Sequence, residues 1–416
     1  MERRKLIRNA AGFGLAGLIG NKMNAYATVP SSGVRSETSW MDGSQVDDWH
    51  SELTQRIAVL DERGGGTLEL GDGVYEISKP LNLLSSVSLV MTPNAVIKAM
   101  SGFEGDAVLI KGAGRSSTFS GTGGWIRGGV IDGSKLPITG IRVEKIARLE
   151  IADLVVKNAL HKGIHLLKGG YERNLTRVRC DVDGRTPYAP GSIGIHYEGG
   201  DNKVFLAHVL GYETGVRSDL WSNWFTLVHV WNSSAQGPMY YCFYCNGDNN
   251  TYNQCYADSP TTAGFYVTKA HQSFIQNRIY HSRWAKDISG AGFLITPEGK
   301  HGNYIGNVLF ADEGHRLAKA FDGDLVGATI LGSSSWRVMG GLENRISSGE
   351  ELTHPELGSI QHPALHLGGT GFRLTQQTTF PLPEQGDLGE VRWVDDGKTS
   401  ALLVKTTIGW KKAPLL

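Results

Sequence analysis

Seven phrases that each open on a glycine and run into a short strand recur through the middle of the chain. They are GIRVEK from Gly140, GIHLLK from Gly163, GIHYEG from Gly194, GVRSDL from Gly215, GPMYYC from Gly237, GFYVTK from Gly264 and GFLITP from Gly292. Their spacings are 23, 31, 21, 22, 27 and 28 residues. A period that drifts within the twenties is the mark of a solenoid in which each coil keeps its strands and varies its loops. A second phrase follows in each coil (LEIADLVV, LTRVRC, VFLAHVLG, FTLVHVWN, NTYNQCYA, FIQNRIYH, NYIGNVLF), with aligned centres at Asp153, Arg177, His208, His229, Gln254, Asn277 and Asn307. The last three centres predict a ladder of amides stacked through a turn. His208 and His229 are read as members of the same stack, since an aligned pair alone supplies too few ligands for a metal.

The composition agrees with many short strands and tight turns. Of 416 residues 55 are Gly and only 14 Pro, without the three-residue period of collagen, and 40% are hydrophobic. The segment VDDWHSELTQRIAVLDERGGGTLELGDGVYEIS, from Val46, starts with apolar residues at helical spacing (Leu53, Ile57, Leu60), breaks at Gly64-Gly65-Gly66 and turns to alternation. This stretch, with the continuation KPLNLLSSVSLVMTPNAVIKA, resembles the opening of the pectate-lyase-like superfamily over roughly residues 47 to 340. The resemblance implies an all-β chain, a right-handed parallel β-helix solenoid with an N-terminal capping helix, and an activity on carbohydrate. The paired-aspartate and G-H-G phrases of the polygalacturonase type and the W-x-D-H pattern of pectate lyases are absent, so no known catalytic set transfers.

The expected organisation is a signal peptide over 1–27, a linker over 28–46, the β-helix over 47–344, a second linker over 345–360 and a small C-terminal β module over 361–416. The signal rests on Arg3-Arg4 before a weakly apolar run that ends at Ala25-Tyr26-Ala27, which resembles a twin-arginine export signal and predicts a periplasmic or secreted protein free of the membrane. Its removal takes five basic residues and one acid, so the formal charge falls from zero to minus four and general nucleic-acid binding is not expected. The C-terminal module has short alternating strands about Asp396-Gly397 and is similar to the terminal pieces of phage tail proteins that assemble as trimers. A homotrimer, with the site between subunits, and a simple cap on the last coil are both open. Cys180, Cys242, Cys245 and Cys255 lack the spacing of a zinc or thioredoxin site and are read as buried thiols or one disulfide.

Strand parity locates the candidate site. Residues one and three after each glycine fill the interior, among them Ile195/Tyr197, Val216/Ser218 and Pro238/Tyr240, while those two and four after it face out. Coils lie about 4.8 Å apart, which stacks Arg217 beside His196 and Asp219 beside Glu198. A basic column then runs Arg142, His165, His196, Arg217, with Met239, Tyr241 and Tyr266 on the outward face of the following coils. Lys168, Trp221 and Trp224 are placed at the edge of the same groove as further substrate contacts. A plain ladder of solvated ion pairs is the structural alternative.

For the superfamily chemistry, β-elimination on a uronic acid needs a carboxylate neutraliser, a base and an acid. The expected roles are Arg217 as neutraliser, with Arg142 or Lys168 as distant helpers, His196 as base and Tyr241 or Tyr266 as proton donor. Glu198 and Asp219 would orient His196 and Arg217 or hold a calcium ion; otherwise no cofactor and no metal site is expected. Two alternatives stay open: a glycoside hydrolase using Glu198 and Asp219, and a non-catalytic protein that binds an exopolysaccharide through the same groove. The expected partner is an acidic polysaccharide, with lyase placed before hydrolase.

Overall fold

The computed structural model describes residues 47–340 apart from 113–123, 184–188, 233–236, 283–289, 312–316, 326–327, 332–333 and 337, together with four later strands. The 1–27 signal and the 28–46 and 345–360 linkers lie outside the described residues.

The helix α1, His50–Glu62, opens the fold. Asp48 ties its start to the first coil, accepting from the His50 N–H at 3.0 Å and the Ser78 hydroxyl at 2.5 Å. Leu53 and Ile57 are buried, and Trp49 meets the ring of Tyr75 edge-on at 5.0 Å. The helix stops where Gly64 and Gly65 take φ of +89° and +116°. No helix among the described residues is long and apolar enough to cross a membrane.

From Gly66 each coil contributes one strand to each of three 11-stranded parallel sheets, here A, B and C in chain order. The first coil supplies Gly66–Leu70, Gly73–Ile77 and Leu81–Leu84. The result is a right-handed parallel β-helix with its core along the axis, as the sequence predicts. Rings stack coil upon coil inside it. Phe225, Tyr252, Phe274 and Tyr304 follow one another at 4.8, 5.2 and 5.1 Å, and Phe243, Phe265, Phe293 and Phe321 at 4.6, 5.1 and 5.0 Å.

Two corners turn on one left-handed residue each. Between sheets A and B stand Asp153, Arg177, Leu206, Leu227, Gln254 and Gln276, all with φ of +51° to +56°. Between sheets C and A stand Glu172, Asp201, Ser222, Asn249 and His271, with φ of +54° to +57°. The residue after each of the latter group forms a buried ladder. Asn202 accepts from the Arg173 N–H at 3.1 Å, Asn223 from the Asn202 N–H at 3.0 Å and Asn250 from the Asn223 N–H at 2.8 Å. The predicted ladder is present for Asn277 and Asn307, where the Asn277 N–H donates to Asn307 Oδ1 at 3.0 Å. Gln254 is not in it. Cys255 holds that register, donating its N–H to Asn277, while Gln254 pairs on the exposed side with Gln276 at 3.1 Å.

The glycines that lead the sheet C strands are set by close approach. A Cβ on Gly194 would lie 2.2 Å from Val209 Cγ1 and 2.8 Å from the Gly215 carbonyl, and one on Gly215 2.1 Å from Val230 Cγ1 and 2.7 Å from the Cys242 carbonyl. The next coil departs from the predicted register: Thr214 pairs with Tyr241 and Val216 with Phe243, so Cys242 takes the glycine position in place of Gly237. Its sheet B counterpart, in register with Val230, is the small Ala257. The expected inward Tyr240 is therefore 40% exposed, and Met239, expected outside, is buried.

All four cysteines are buried free thiols. Toward the C-terminus, Gln376–Gln377 pairs in parallel with Val391–Asp395, which pairs antiparallel with Ser400–Thr406 and that with Gly409–Lys412.

Candidate functional site

The outer face of sheet C carries one column in strict register: Arg142, His165, His196, Arg217, Tyr244, Tyr266, Leu294. The two imidazoles are stacked, with centroids 4.6 Å apart and planes 2° from parallel. Each reaches toward the carboxylate of the following coil: His165 Nε2 lies 2.8 Å from Glu198 Oε1 and His196 Nε2 2.7 Å from Asp219 Oδ2. Asp219 also accepts from Arg217 Nε at 2.9 Å and from the Asn246 amide at 2.9 Å. The Arg217 guanidinium lies over the Tyr244 ring, 4.8 Å from its centre.

Lys162, the residue before Gly163, enters this cluster unpredicted. Its Nζ stands 3.1 Å from His196 Nδ1 and 3.4 and 3.5 Å from the two nitrogens of His165. An ammonium only donates, so His196 accepts at Nδ1 and gives its Nε2 proton to Asp219. Simple alternation sends the residue before the glycine inward, but the glycine position is itself the one that meets the interior, where a Cβ on Gly163 would lie 2.9 Å from the buried Cys180 Sγ, and Lys162 turns to the outer cluster. Tyr244 and Asn246 were missed for another reason: they follow from the register that Cys242 sets.

Burial governs the charges. It pushes the His165 imidazole down to about 4, against the opposing pull of Glu198. Burial also lowers the Lys162 ammonium, Glu198 opposing this and Arg217 and Arg142 adding to it. For the carboxylates burial alone would act upward, yet hydrogen bonds win. Glu198 is held below its ordinary value by His165, and Asp219 down to about 2 by His196, Asn246 and Arg217. Tyr244 in the column and Tyr241 beside it are both raised by burial and stay protonated at neutral pH.

The other predicted residues are placed unevenly. Tyr241 reaches the face through the corrected register and stacks on Tyr266 at 4.6 Å, with Tyr244 edge-on to Tyr266 at 5.0 Å. Arg142 pairs with Glu144 at 2.8 Å and Asp106 at 3.7 Å. His196 is only 5% exposed, with each ring nitrogen facing a partner, which leaves the expected base without a free nitrogen. Lys168 is exposed in the turn after the His165 strand, and Trp221 lies at the C–A corner against Tyr171, 6.1 Å between rings. Trp224 belongs to sheet A, where it is 57% exposed in register with Lys203, and so departs from the predicted groove. His208 and His229 meet edge-on at 5.6 Å, and His229 stacks on Tyr256.

No protein-family model matches the chain, and no curated protein does. Solved structures do. A tailspike protein of E. coli bacteriophage HK620 in complex with a pentasaccharide superposes at a TM-score of 0.54 and 14% identity, over 71% of this chain and 59% of that one. The chain has the right-handed parallel β-helix fold. The enzymatically active domain of bacteriophage CBA120 tailspike protein 2 matches at 0.51 and 11% identity, over 71% and 46% of the two chains. The A-module of an Azotobacter vinelandii mannuronan C-5 epimerase matches at 0.48 and 14%, over 72% and 96%. The resemblance read at the first coils thus holds at the level of the fold.

Proposed function

We propose that the protein acts on an acidic, uronate-containing polysaccharide by β-elimination at the outer face of sheet C. The observation that carries this reading is the gathering of Arg142, Lys162 and Arg217 within four successive coils, the coil between Lys162 and Arg217 carrying His196, with three tyrosines next along the same face. A shallow face running along a solenoid suits an extended polymer, and rings such as Tyr244 and Tyr266 suit the apolar faces of sugars. The HK620 tailspike, bound to a pentasaccharide on this fold, adds support for a saccharide.

Arg217, fixed by Asp219 and Tyr244, pairs with the uronate carboxylate and stabilises the enolate charge. The Lys162 amine, its ammonium already weakened by burial, takes the proton α to that carboxylate. The bond to the leaving oxygen then breaks, its electron pair goes to that oxygen, and Tyr241 or Tyr244 protonates it as the double bond forms. His196 holds Lys162 from behind through Nδ1.

Hydrolysis by Glu198 and Asp219 is the less favoured reading. Both carboxyls lie below their ordinary values, whereas a glycosidase needs one raised enough to donate a proton. The export signal and a trimer built on the C-terminal strands remain part of this proposal. The test is incubation of the purified protein with a panel of acidic polysaccharides. New ultraviolet absorbance from unsaturated ends, lost in Lys162→Met and Arg217→Ala, supports elimination; reducing ends without that absorbance support hydrolysis, and retention on a polysaccharide gel with neither product supports a binder.

A further inference from the structure

We propose that His165, His196 and Glu198 form a site for one borderline divalent transition-metal ion, of the Zn²⁺ or Co²⁺ class, which Lys162 keeps closed. Among the described residues these three offer ligand atoms that all lie within 4.8 Å of one another. Two imidazoles and a carboxylate are a zinc-type donor set, not the oxygen cage that calcium requires, so this site differs from the calcium site expected of the carboxylates.

The second observation is the support behind the ligands. His196 presents Nδ1 to the cluster while its Nε2–H is bound to Asp219 at 2.7 Å, and Asp219 is itself fixed by Arg217 and Asn246. A carboxylate on the far nitrogen is the arrangement that orients and strengthens a metal-bound histidine. The third is what occupies one of the ligand atoms. Lys162 Nζ stands 3.1 Å from His196 Nδ1, on the lone pair a metal would need, and 3.4 and 3.5 Å from the two nitrogens of His165. A metal enters only when Lys162 swings out and His165 changes tautomer, its proton passing from Nε2 to Nδ1, which leaves a neutral imidazole with its lone pair at Nε2.

The inference goes beyond the elimination reading and is tested without substrate. Cobalt(II) is titrated into the full chain and followed by its visible absorption and by calorimetry. One equivalent is expected to bind the native chain, at least tenfold tighter in Lys162→Met, and to be lost in Glu198→Gln and His165→Asn, with circular dichroism confirming that each variant is folded. Copper(II) resonance spectra should show two imidazole nitrogens in Lys162→Met. An equivalent that survives in folded Glu198→Gln, or affinity that falls or stays unchanged in Lys162→Met, would overturn the proposal. Failure here leaves elimination untouched, because that reading is decided by product absorbance alone.

Discussion

The imidazole rings of His165 and His196 lie face to face on successive coils, 4.6 Å between centroids and 2° from parallel. Burial, with Lys162 beside it adding to the effect and Glu198 opposing it, keeps the His165 ring neutral: it is pushed down to about 4, from a free value of 6.5. The unfolded chain therefore takes up this proton first. Stability is expected to fall as pH drops from about 6.5 toward 4, by on the order of 3 kcal/mol for the full shift, and to level off for this group below that. Urea midpoints measured across the window should show the slope, and His165→Asn should flatten it.

Asp219 acts in the next window down. Its carboxyl lies at about 2, against an ordinary 3.8. A depressed carboxyl contributes stability that is fully present above the unfolded value and is lost as pH falls through the folded one. The shift corresponds to about 2 kcal/mol, so Asp219→Asn should destabilise by that order at neutral pH, and much less at pH values near 2. Denaturant curves for both forms at each pH give the comparison. A variant equally harmful at both would mean the carboxylate's charge is not what holds His196, Arg217 and Asn246 together.

Gly215 and Val230 offer a test of the period itself. An alanine at 215 would put its Cβ 2.1 Å from Val230 Cγ1 and 2.7 Å from the Cys242 carbonyl. Gly215→Ala should cost about 1–3 kcal/mol by overpacking. The adjacent coil already carries a side chain there, Cys242, opposite the small Ala257 in place of valine. Gly215→Ala with Val230→Ala should therefore cost less than the two single changes together, and the coupling read from a double-mutant cycle decides it.

The same pair explains what the sequence could and could not tell. Glycine recurs because sheet B side chains and the next carbonyl leave no room for a Cβ, which is a local rule and therefore legible. Where Ala257 relaxes that rule, Cys242 replaces glycine, and the nearby Gly237 draws the register off by a few residues. Tyr244 and Asn246 were hidden by that shift, and Lys162 by the break in alternation at the inward-facing Gly163. The stacking of Arg217 on His196 followed from the coil interval alone. Burial did not: an outward-facing side chain is not thereby exposed, and His196, packed among His165, Lys162 and Asp219, shows how far the two differ.

Asn223 measures what the corner ladder contributes. Its amide donates to the carbonyls of Gly199 and Leu220 and to the Ser218 hydroxyl at 2.9 to 3.0 Å, and its oxygen accepts from the Asn202 amide at 2.8 Å. Removing the side chain leaves several buried polar groups unpaired, so Asn223→Ala should cost about 3 kcal/mol or more. Because Ser218 ends the strand that carries Arg217, hydrogen exchange should quicken there before it does in α1. Uniform quickening across the chain would assign the ladder to global stability alone.

If the outer face of sheet C carries out the proposed elimination, one of its tyrosines gives the proton to the leaving oxygen. Tyr244 lies under the Arg217 guanidinium at 4.8 Å, while Tyr241 stacks on Tyr266 and meets Tyr244 edge-on at 5.5 Å. Phenylalanine keeps either ring in place and removes only the hydroxyl, so packing is constant between the two variants. If Tyr241 is the donor, Tyr241→Phe should lower kcat roughly 100-fold or more with KM little changed, since proton transfer is felt only in the transition state. Tyr244→Phe should then keep kcat, and Arg217→Lys should act mainly on KM, because an ammonium retains the charge but loses the planar fork and the ring contact. The reverse pattern would give the role to Tyr244. Full kcat in both phenylalanine variants would place the proton donor outside this face and remove the tyrosines from the reaction.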